Sequence, residues 1–471
     1  MKAMKQLLGL SIVLFDLLFI CGCSVDKSKS EVGLTLIPPA SVTSQVNLDI
    51  RGGLKNTSNK DKKYKVNIYI DEETVNGQLY STSVDIKAKE VACVKYMLPT
   101  CDRIGKHTII LVVEDGTNVY RLRKTIEVLK SPIRSTRKIE GAFIGFYHWS
   151  EQEGKMWNPI IKGLTDKQWQ EVVHSMNKLD MNIVVIQESF RNQEYVGKHS
   201  IEQDGYQGKA FYPSSLYEGR MPINATDPVE AVLQQADKEG MNVFMGVGMY
   251  AWFDYTQGSL DWHKKVAQEL WEKYAHHPSF YGFYVSEEGM GSLDCFETDS
   301  AKKEKRRQEV LHFFKEFKQF CHKLAPDKPV MFAPNGWGVG EARQLYPELL
   351  KNVDIICPFA FARMPEHDLT GIEAVTLLQQ FCNDAGAHLW LDLEAFLFDD
   401  KEQYLVPRPI EEIKKDLLLF DTFEKVICYQ YPGVFNDPEM SVRIGEESTI
   451  RLFQDYREYL KQLDYITNKN E

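Results

Sequence analysis

The stretch Tyr281-Gly282-Phe283-Tyr284-Val285-Ser286-Glu287-Glu288 decides the fold. A short apolar run that ends in carboxylates reads as a buried strand carrying an acid at its C-terminal end. His388-Leu389-Trp390-Leu391-Asp392-Leu393-Glu394 has the same form. Working outward, eight apolar strand candidates follow one another: Ala142–His148, Asn182–Glu188, Asn242–Gly248, Phe280–Ser286, Pro329–Pro334, Val353–Phe359, His388–Glu394 and Lys425–Tyr431. Helical patterns separate them. The clearest is Val310, Phe313, Phe314, Phe317, Phe320, Cys321 and Leu324, with apolar residues three and four apart. Thr165 to Gln168 has the form of a capping box, and Asp227-Pro228 that of a helix cap followed by proline. Eight strand–helix units over residues 139–462 predict a (β/α)8 TIM barrel. An open, doubly wound sheet is the alternative, but no glycine-rich phosphate loop follows any of these strands.

Successive side chains of a strand point to opposite faces, so parity selects which acids face inward. In the seventh strand Leu389, Leu391 and Leu393 share the outer face, while Trp390, Asp392 and Glu394 point into the barrel. In the fourth, Tyr281, Phe283 and Val285 make the outer face and Gly282, Tyr284, Ser286 and Glu288 the inner one. Glu288 is therefore preferred to Glu287. A strand-end glutamate can equally cap a helix or pair with a surface cation; two inward ones, on strands four and seven of eight, point to chemistry. A retaining glycosidase needs two carboxyl groups roughly 5–5.5 Å apart, one attacking the anomeric carbon and one protonating the leaving oxygen. Glu394 is expected as the ionised nucleophile. Glu288 is expected as the acid/base, its pKa raised by burial or by the neighbouring charge. Trp149, Trp252 and Trp337 fall at other strand ends, where indoles can pack on sugar rings. Tyr284, Gln187, Asn335, Asp392, Tyr429 and Tyr431 complete the expected sugar-binding set. The long connection Arg191 to Thr226, with Tyr195, Tyr206, Tyr212 and Tyr217, is expected to wall one side of the cleft.

Upstream the pattern changes. Residues 44–130 alternate apolar and polar with turn signals at Asn76-Gly77 and Asp115-Gly116, which predicts a small immunoglobulin-like β-sandwich. It holds no candidate catalytic cluster and is expected to act as a spacer. Residues 1–23 read as a lipoprotein signal peptide: Lys2 and Lys5, an apolar run from Leu7 to Ile20, then Ile20-Cys21-Gly22-Cys23, similar to a bacterial lipobox. Cys23 would be the lipidated first residue, anchoring the protein in the bacterial cell envelope, and residues 24–43 a flexible tether. The net charge of −11 argues against nucleic acid as a partner. Most remaining cysteines lie in apolar runs and are expected to be buried, with Cys93 and Cys101 able to bridge. No cofactor or metal is expected. His148 and His276-His277 lack a ligand spacing such as His-Glu-x-x-His, and no Gly-x-Ser-x-Gly elbow is present. The expected partner is thus a carbohydrate. The competing readings are an inverting hydrolase and a non-catalytic glycan-binding lipoprotein on a degenerate barrel.

Residues 139–462 resemble the TIM-barrel family catalogued as domain of unknown function 4434, within the glycoside hydrolase barrel superfamily. The resemblance lies in Met181-Asn-Ile-Val-Val-Ile-Gln187, Asp227-Pro-Val-Glu-Ala-Val-Leu233, Gly240-Met-Asn-Val-Phe-Met-Gly246 and His277-Pro-Ser-Phe-Tyr-Gly-Phe-Tyr-Val-Ser-Glu-Glu288. It implies a barrel fold and puts the family's glutamate after the Gly-aromatic-Tyr strand on Glu288. The placement on strands four and seven is similar to the large retaining clan with that arrangement. That clan has asparagine directly before the acid/base, where this chain has Glu287, so the asparagine contact to a sugar 2-hydroxyl is not expected. The family implies no substrate.

Overall fold

The computed structural model describes residues 31–192, 208–248, 253–295 and 297–469, with Asn192 and residues 464–469 as backbone only. The expected signal segment and Cys23 lie outside the described residues.

The N-terminal region contains β1 (Val32–Ile37), β2 (Ser41–Thr43), β3 (Leu48–Lys55), β4 (Lys62–Ile70), β5 (Gln78–Ile86), β6 (Val91–Leu98), β7 (Gly105–Glu114) and β8 (Val119–Leu129). They form two sheets, in the orders β1-β3-β6 and β2-β8-β7-β4-β5. Leu34, Ile50 and Leu98 of the first sheet share a core with Val66, Ile68, Leu111 and Ile126 of the second. Period-2 alternation accounts for this, since every second residue of β4 from Tyr64 to Ile70 is buried. Residues 32–43, expected to be tether, are instead strands β1 and β2, because Leu34 and Leu36 find apolar partners in the facing sheet. Cys93 and Cys101 are free thiols, while Cys321, Cys357, Cys382 and Cys428 are buried.

From Gly141 strands alternate with helices. The first half comprises β9 (Gly141–Ile144), α1 (Asn158–Ile161), α2 (Asp166–Asn177), β10 (Ile183–Ile186), the hairpin β11 (Phe190–Asn192) and β12 (Gly208–Ala210), α3 (Pro228–Glu239), β13 (Asn242–Gly246) and α4 (Gln257–Tyr274). The second comprises β14 (Phe280–Met290), α5 (Ser300–Leu324), β15 (Val330–Asn335), α6 (Tyr346–Leu349), β16 (Ile355–Ile356), α7 (Gly371–Ala385), β17 (His388–Leu389) and β18 (Leu391–Glu394). It continues with the hairpin β19 (Phe396–Phe398) and β20 (Leu405–Pro407), α8 (Ile410–Leu419), β21 (Val426–Tyr429) and α9 (Glu447–Lys469). Helix α2 starts at the Thr165 capping box and α3 at the Asp227 cap with Pro228 behind it, as their sequences predict. Nine parallel segments lie in the order β17-β16-β15-β14-β13-β10-β9-β21-β18. Trp390 alone separates β17 from β18. Its N–H donates to Ile356 O at 2.9 Å, and the Leu391 N–H donates to Lys425 O at 2.8 Å, so the row returns on itself as a nearly closed barrel.

Parity sorts the side chains into two apolar layers. Phe143, Val185, Phe244, Met331, Trp390 and Ile427 fill the interior, while Ala142, Val184, Leu389, Leu391 and Leu393 pack against the helices. Tyr281 departs from its expected outer position and lies inside. Val243 pairs with Phe280 and Phe244 with Gly282, so Tyr281 is the extra residue of a bulge and the parity before it is inverted.

The barrel's N-terminal end is shut by the β-rich region, which is therefore a docked part of the fold rather than the expected spacer. Ile37 enters the interior cluster, and the Tyr281 hydroxyl donates to Leu36 O at 2.7 Å. Arg51 of β3 is buried between Asp49 and Asp354, at 2.7 and 2.8 Å, and the Thr35 hydroxyl donates to Asp327 at 2.7 Å. Burial alone would raise the Asp354 carboxyl, yet Arg51 and Lys318 hold it well below the usual range. Burial would depress His388, but Glu424 at 2.6 Å and Asp49 at 3.5 Å hold it up at about 9. The carboxylates thus stabilise the junction above the usual pKa of 3.8 and lose that contribution as pH falls. The His388 contribution is full below pH 6.5 and is lost as pH rises through about 9. Replacing Arg51 with Met removes the cation between Asp49 and Asp354 and leaves them His388 and Lys318 as their remaining cationic neighbours, and is expected to cost about 3–5 kcal/mol in a urea titration at neutral pH. In the same titration run from pH 6.5 to 9.5, wild-type stability is expected to fall and His388→Gln to flatten that fall.

Candidate active site

At the opposite end, the C-terminal ends of the barrel strands surround a cleft of about 350 Å³. Strand β14 brings Tyr284, Ser286 and Glu288 to it, as parity predicts beyond the Tyr281 bulge. Glu287 is fully buried and does not line the cleft; its backbone carbonyl accepts a hydrogen bond from Tyr255 at 3.0 Å. Strand β18 brings Asp392 and Glu394 from the other side. Arg363, in the loop after β16, donates to Glu394 Oε1 from both Nε, at 2.8 Å, and a terminal nitrogen, at 2.7 Å. Its guanidinium also lies 5.2 Å from the centre of the Trp337 ring. Asp392 sits beneath Glu394 and is fully buried, and burial followed by the Glu394 charge pushes its carboxyl well above the usual range. The shift favours the neutral acid, the form that can donate a hydrogen bond.

Glu153, in the loop after β9, supplies a further carboxyl to the cleft. Its backbone carbonyl accepts from Leu405 N at 3.0 Å, which ties this loop to the β19–β20 hairpin. Phe396, Phe398 and Leu405 of that hairpin form the apolar wall alongside. Burial first, and then the charge of Glu288, push Glu153 up to about 7. His148 lies 3.7 Å away but burial pushes it down to about 3, so it brings Glu153 no positive charge near neutral pH.

Of the residues singled out from sequence, Trp149, Gln187, Tyr284, Glu288, Asn335, Trp337, Asp392, Glu394 and Tyr429 line this one cleft. Tyr431 does not. The strand ends at Tyr429, and the Tyr431 ring turns outward to stack on Phe435, with its hydroxyl bonded to Ser175. Trp252, Tyr195 and Tyr206 fall outside the described residues. Tyr212 and Tyr217 pack away from the cleft, the first bonded to Glu269 and the second stacked on Phe190. His276, His277 and Glu230 could bring ligand atoms together, but at the N-terminal end of β14, where His277 is already bonded to Asp237 and Glu230. Sequence reasoning passed over Glu153 and Arg363. Glu153 stands in a loop and Arg363 ends a single 3-10 turn, Phe361–Arg363, and the only available signal was a charged residue shortly after a strand end.

Several polar atoms in the cleft wall carry no hydrogen-bond partner from the protein. Gln187 Oε1, Trp337 Nε1 and Asp392 Oδ1 are buried and unsatisfied. Leaving such an atom unpaired costs roughly 1–3 kcal/mol, so the wall is arranged for a ligand or solvent that hydrogen-bonds at several points.

The family model described as "Domain of unknown function (DUF4434)" matches residues 139–442. No curated protein matches the sequence. Among solved structures, a provisionally named α-L-fucosidase from Bacteroides thetaiotaomicron VPI-5482 is similar at 18% identity and a TM-score of 0.49, covering 69% of this chain and 95% of that one. A β-glucuronidase from Bacteroides uniformis is similar at 14% identity and a TM-score of 0.41, covering 92% of this chain and 50% of that one. A GH2 β-galacturonidase from Eisenbergiella tayi, bound to galacturonate, is similar at 12% identity and a TM-score of 0.39, covering 88% and 69%.

The Glu153 shift has a direct consequence for stability. The unfolded chain ionises this group from about pH 4.5, while the folded protein retains the proton up to about 7, so folding is penalised increasingly across that interval. Glu153→Gln is expected to melt with the wild type at pH 4.5 but to be more stable at pH 8, by on the order of 1–3 kcal/mol. Calorimetric scans at the two pH values check this.

Proposed function

The chain belongs to the family described as a domain of unknown function (DUF4434), so its activity has to be argued from the cleft itself, and we propose that it hydrolyses O-glycosidic bonds of an oligo- or polysaccharide with retention. The observation that carries this reading is the meeting of Glu288 and Glu394, from β14 and β18, in one cleft walled by Trp149, Trp337 and Tyr429. Apolar sugar faces suit the aromatic walls, and sugar hydroxyls suit the unsatisfied Gln187, Trp337 and Asp392 atoms. In our reading residues 388–394 count as one strand, making the barrel a (β/α)8 TIM barrel, and the N-terminal region an immunoglobulin-like sandwich. Cys23 is the lipidated residue that holds the protein in the cell envelope.

Glu394 attacks the anomeric carbon through Oε2, since both Arg363 donors fall on Oε1. Glu288 gives its proton to the leaving oxygen as the glycosidic bond breaks. Water then attacks the glycosyl ester, Glu288 takes a proton from it, and Glu394 departs as the carboxylate. Arg363 holds Glu394 in place through its two hydrogen bonds to Oε1. Asp392, its carboxyl raised toward the neutral form, can donate to a sugar oxygen.

The Arg363 clamp also favours a second reading. A carboxylate already engaged by arginine suits glycan capture without turnover, and amide substitution separates the two. The soluble form lacking residues 1–23 is expected to cleave a member of a panel of aryl glycosides and glycan extracts. Glu288→Gln and Glu394→Gln are each expected to lower that rate about a thousandfold. Proton NMR of the first product reads the anomeric outcome. Activity untouched by both changes would sink the assignment, and equal glycan binding by all three proteins without turnover would favour capture.

A further inference from the structure

A second, larger pocket of about 640 Å³ opens on the same end of the barrel, beyond the Trp337–Arg363 ridge. Trp337 lines both cavities, so the two are neighbours across one side chain. Strand β14 also serves both: Glu288 faces the cleft, and two residues later Met290 faces the second pocket, followed by Ser292 and Asp294. Its floor is built and polar. Ser292 and Asp294 are buried, the Ser292 hydroxyl donates to Asp294 at 2.7 Å, and Lys303 and Arg307 approach Asp294 at 3.3 and 3.6 Å. The loops after β15 and β16 are fastened over it, with the Gly338 N–H donating to Asp368 at 2.6 Å.

Position relative to the acid/base assigns this pocket a side of the scissile bond. The leaving oxygen must lie against Glu288, and β14 runs from Glu288 directly into the second pocket. Charge then narrows what it can hold. Among the described residues its lining includes the carboxylates Asp294, Glu297, Glu341, Asp368 and Glu373, against Lys303 and His367 as the basic side chains. Lys303 and Arg307 are both engaged with Asp294 and Glu341. A carboxylate or sulfate on the ligand would meet like charge here, whereas a neutral or ammonium-bearing ring would not. We propose that this pocket receives the leaving-group side of a glycan whose residues there are neutral or carry amino groups, and that it turns away uronate and sulfated residues. The assignment of sides rests on the hydrolase reading above; the existence of the subsite and its charge preference do not.

The test is isothermal titration of the protein with a β-1,4-linked glucosamine tetramer and with a galacturonate tetramer, at one ionic strength. Thr298→Trp, on an exposed position of the pocket rim, fills the space, and Glu341→Lys reverses one charge. Melting temperatures of both variants serve as the control for folding. The glucosamine tetramer is expected to bind, Thr298→Trp to weaken it about tenfold or more, and Glu341→Lys to narrow the gap between the two probes. The galacturonate tetramer is expected not to bind the wild type. Wild-type affinity in a well-folded Thr298→Trp, tighter binding of galacturonate, or binding of neither tetramer would overturn the proposal. Absence of turnover on every aryl glycoside counts against the hydrolase reading alone, because the titration does not depend on it.

Discussion

The rest of the structure depends on the buried guanidinium of Arg51. It belongs to the N-terminal β-rich region, yet one of its two carboxylates, Asp354, stands 303 positions away at the foot of the barrel. Charges so deeply buried are tolerable only with close partners, and the partners require the two regions to meet in one register. The surrounding contacts show how tightly they meet. A Cβ on Gly33 or Gly53 would fall 2.3 or 2.5 Å from the Asp327 carboxylate, so glycine at both positions lets the backbone approach it. Ile37 then plugs the interior beneath Tyr281. With its N-terminal end closed in this way, the barrel offers a ligand its other end.

There the governing problem is too many carboxyl groups in a small space. Glu153, Glu288, Asp392 and Glu394 share one cleft with Arg363, the single arginine among the described residues of its wall. Their environments separate them. Burial and the charge above it raise the Asp392 carboxyl, Glu394 is met by two donors from Arg363, and burial together with Glu288 raises Glu153 to about 7. Groups of one chemical type are thereby given different environments by depth and neighbours, which is what acid–base work near pH 7 requires. The arrangement works against stability, since two of the four acids are held away from the state that water prefers.

How much of this was legible in the sequence depended on the element involved. In β18 strict alternation gave the correct faces for Leu391, Asp392, Leu393 and Glu394. In β14 the same rule fails at Tyr281, because a bulge adds a residue that no apolar pattern announces, and holds again from Phe283 onward. Tyr431 was misplaced because the eighth strand candidate ran to Tyr431, two residues beyond the end of the strand at Tyr429. Glu153 and Arg363 could not be found this way, since a loop and a single 3-10 turn follow no strand period. The docking of the two regions was equally invisible. Asp49, Arg51 and Asp354 read singly as ordinary surface charges, and only the fold brings them together in the dark.

Strand β14 ties these features into one argument. At 11 residues it is far longer than β9 or β10, with 4 each, and its excess projects beyond the barrel rim. Its pairing with β15 is interrupted between Val285 and Gly289 and then resumes, so the segment from Ser286 to Glu288 bows out of the ladder where the cleft lies. Gly289 makes the return possible, since a Cβ there would sit 2.3 Å from the Phe332 ring. The foot of the strand is pinned to the N-terminal region through Tyr281, its bowed middle presents Glu288, and its tip at Met290 enters the second pocket. One continuous strand thus links the docked end of the barrel to the acid and to both cavities. That is a physical reason for an N-terminal region with no cleft residue of its own to be fastened to the barrel by buried charge.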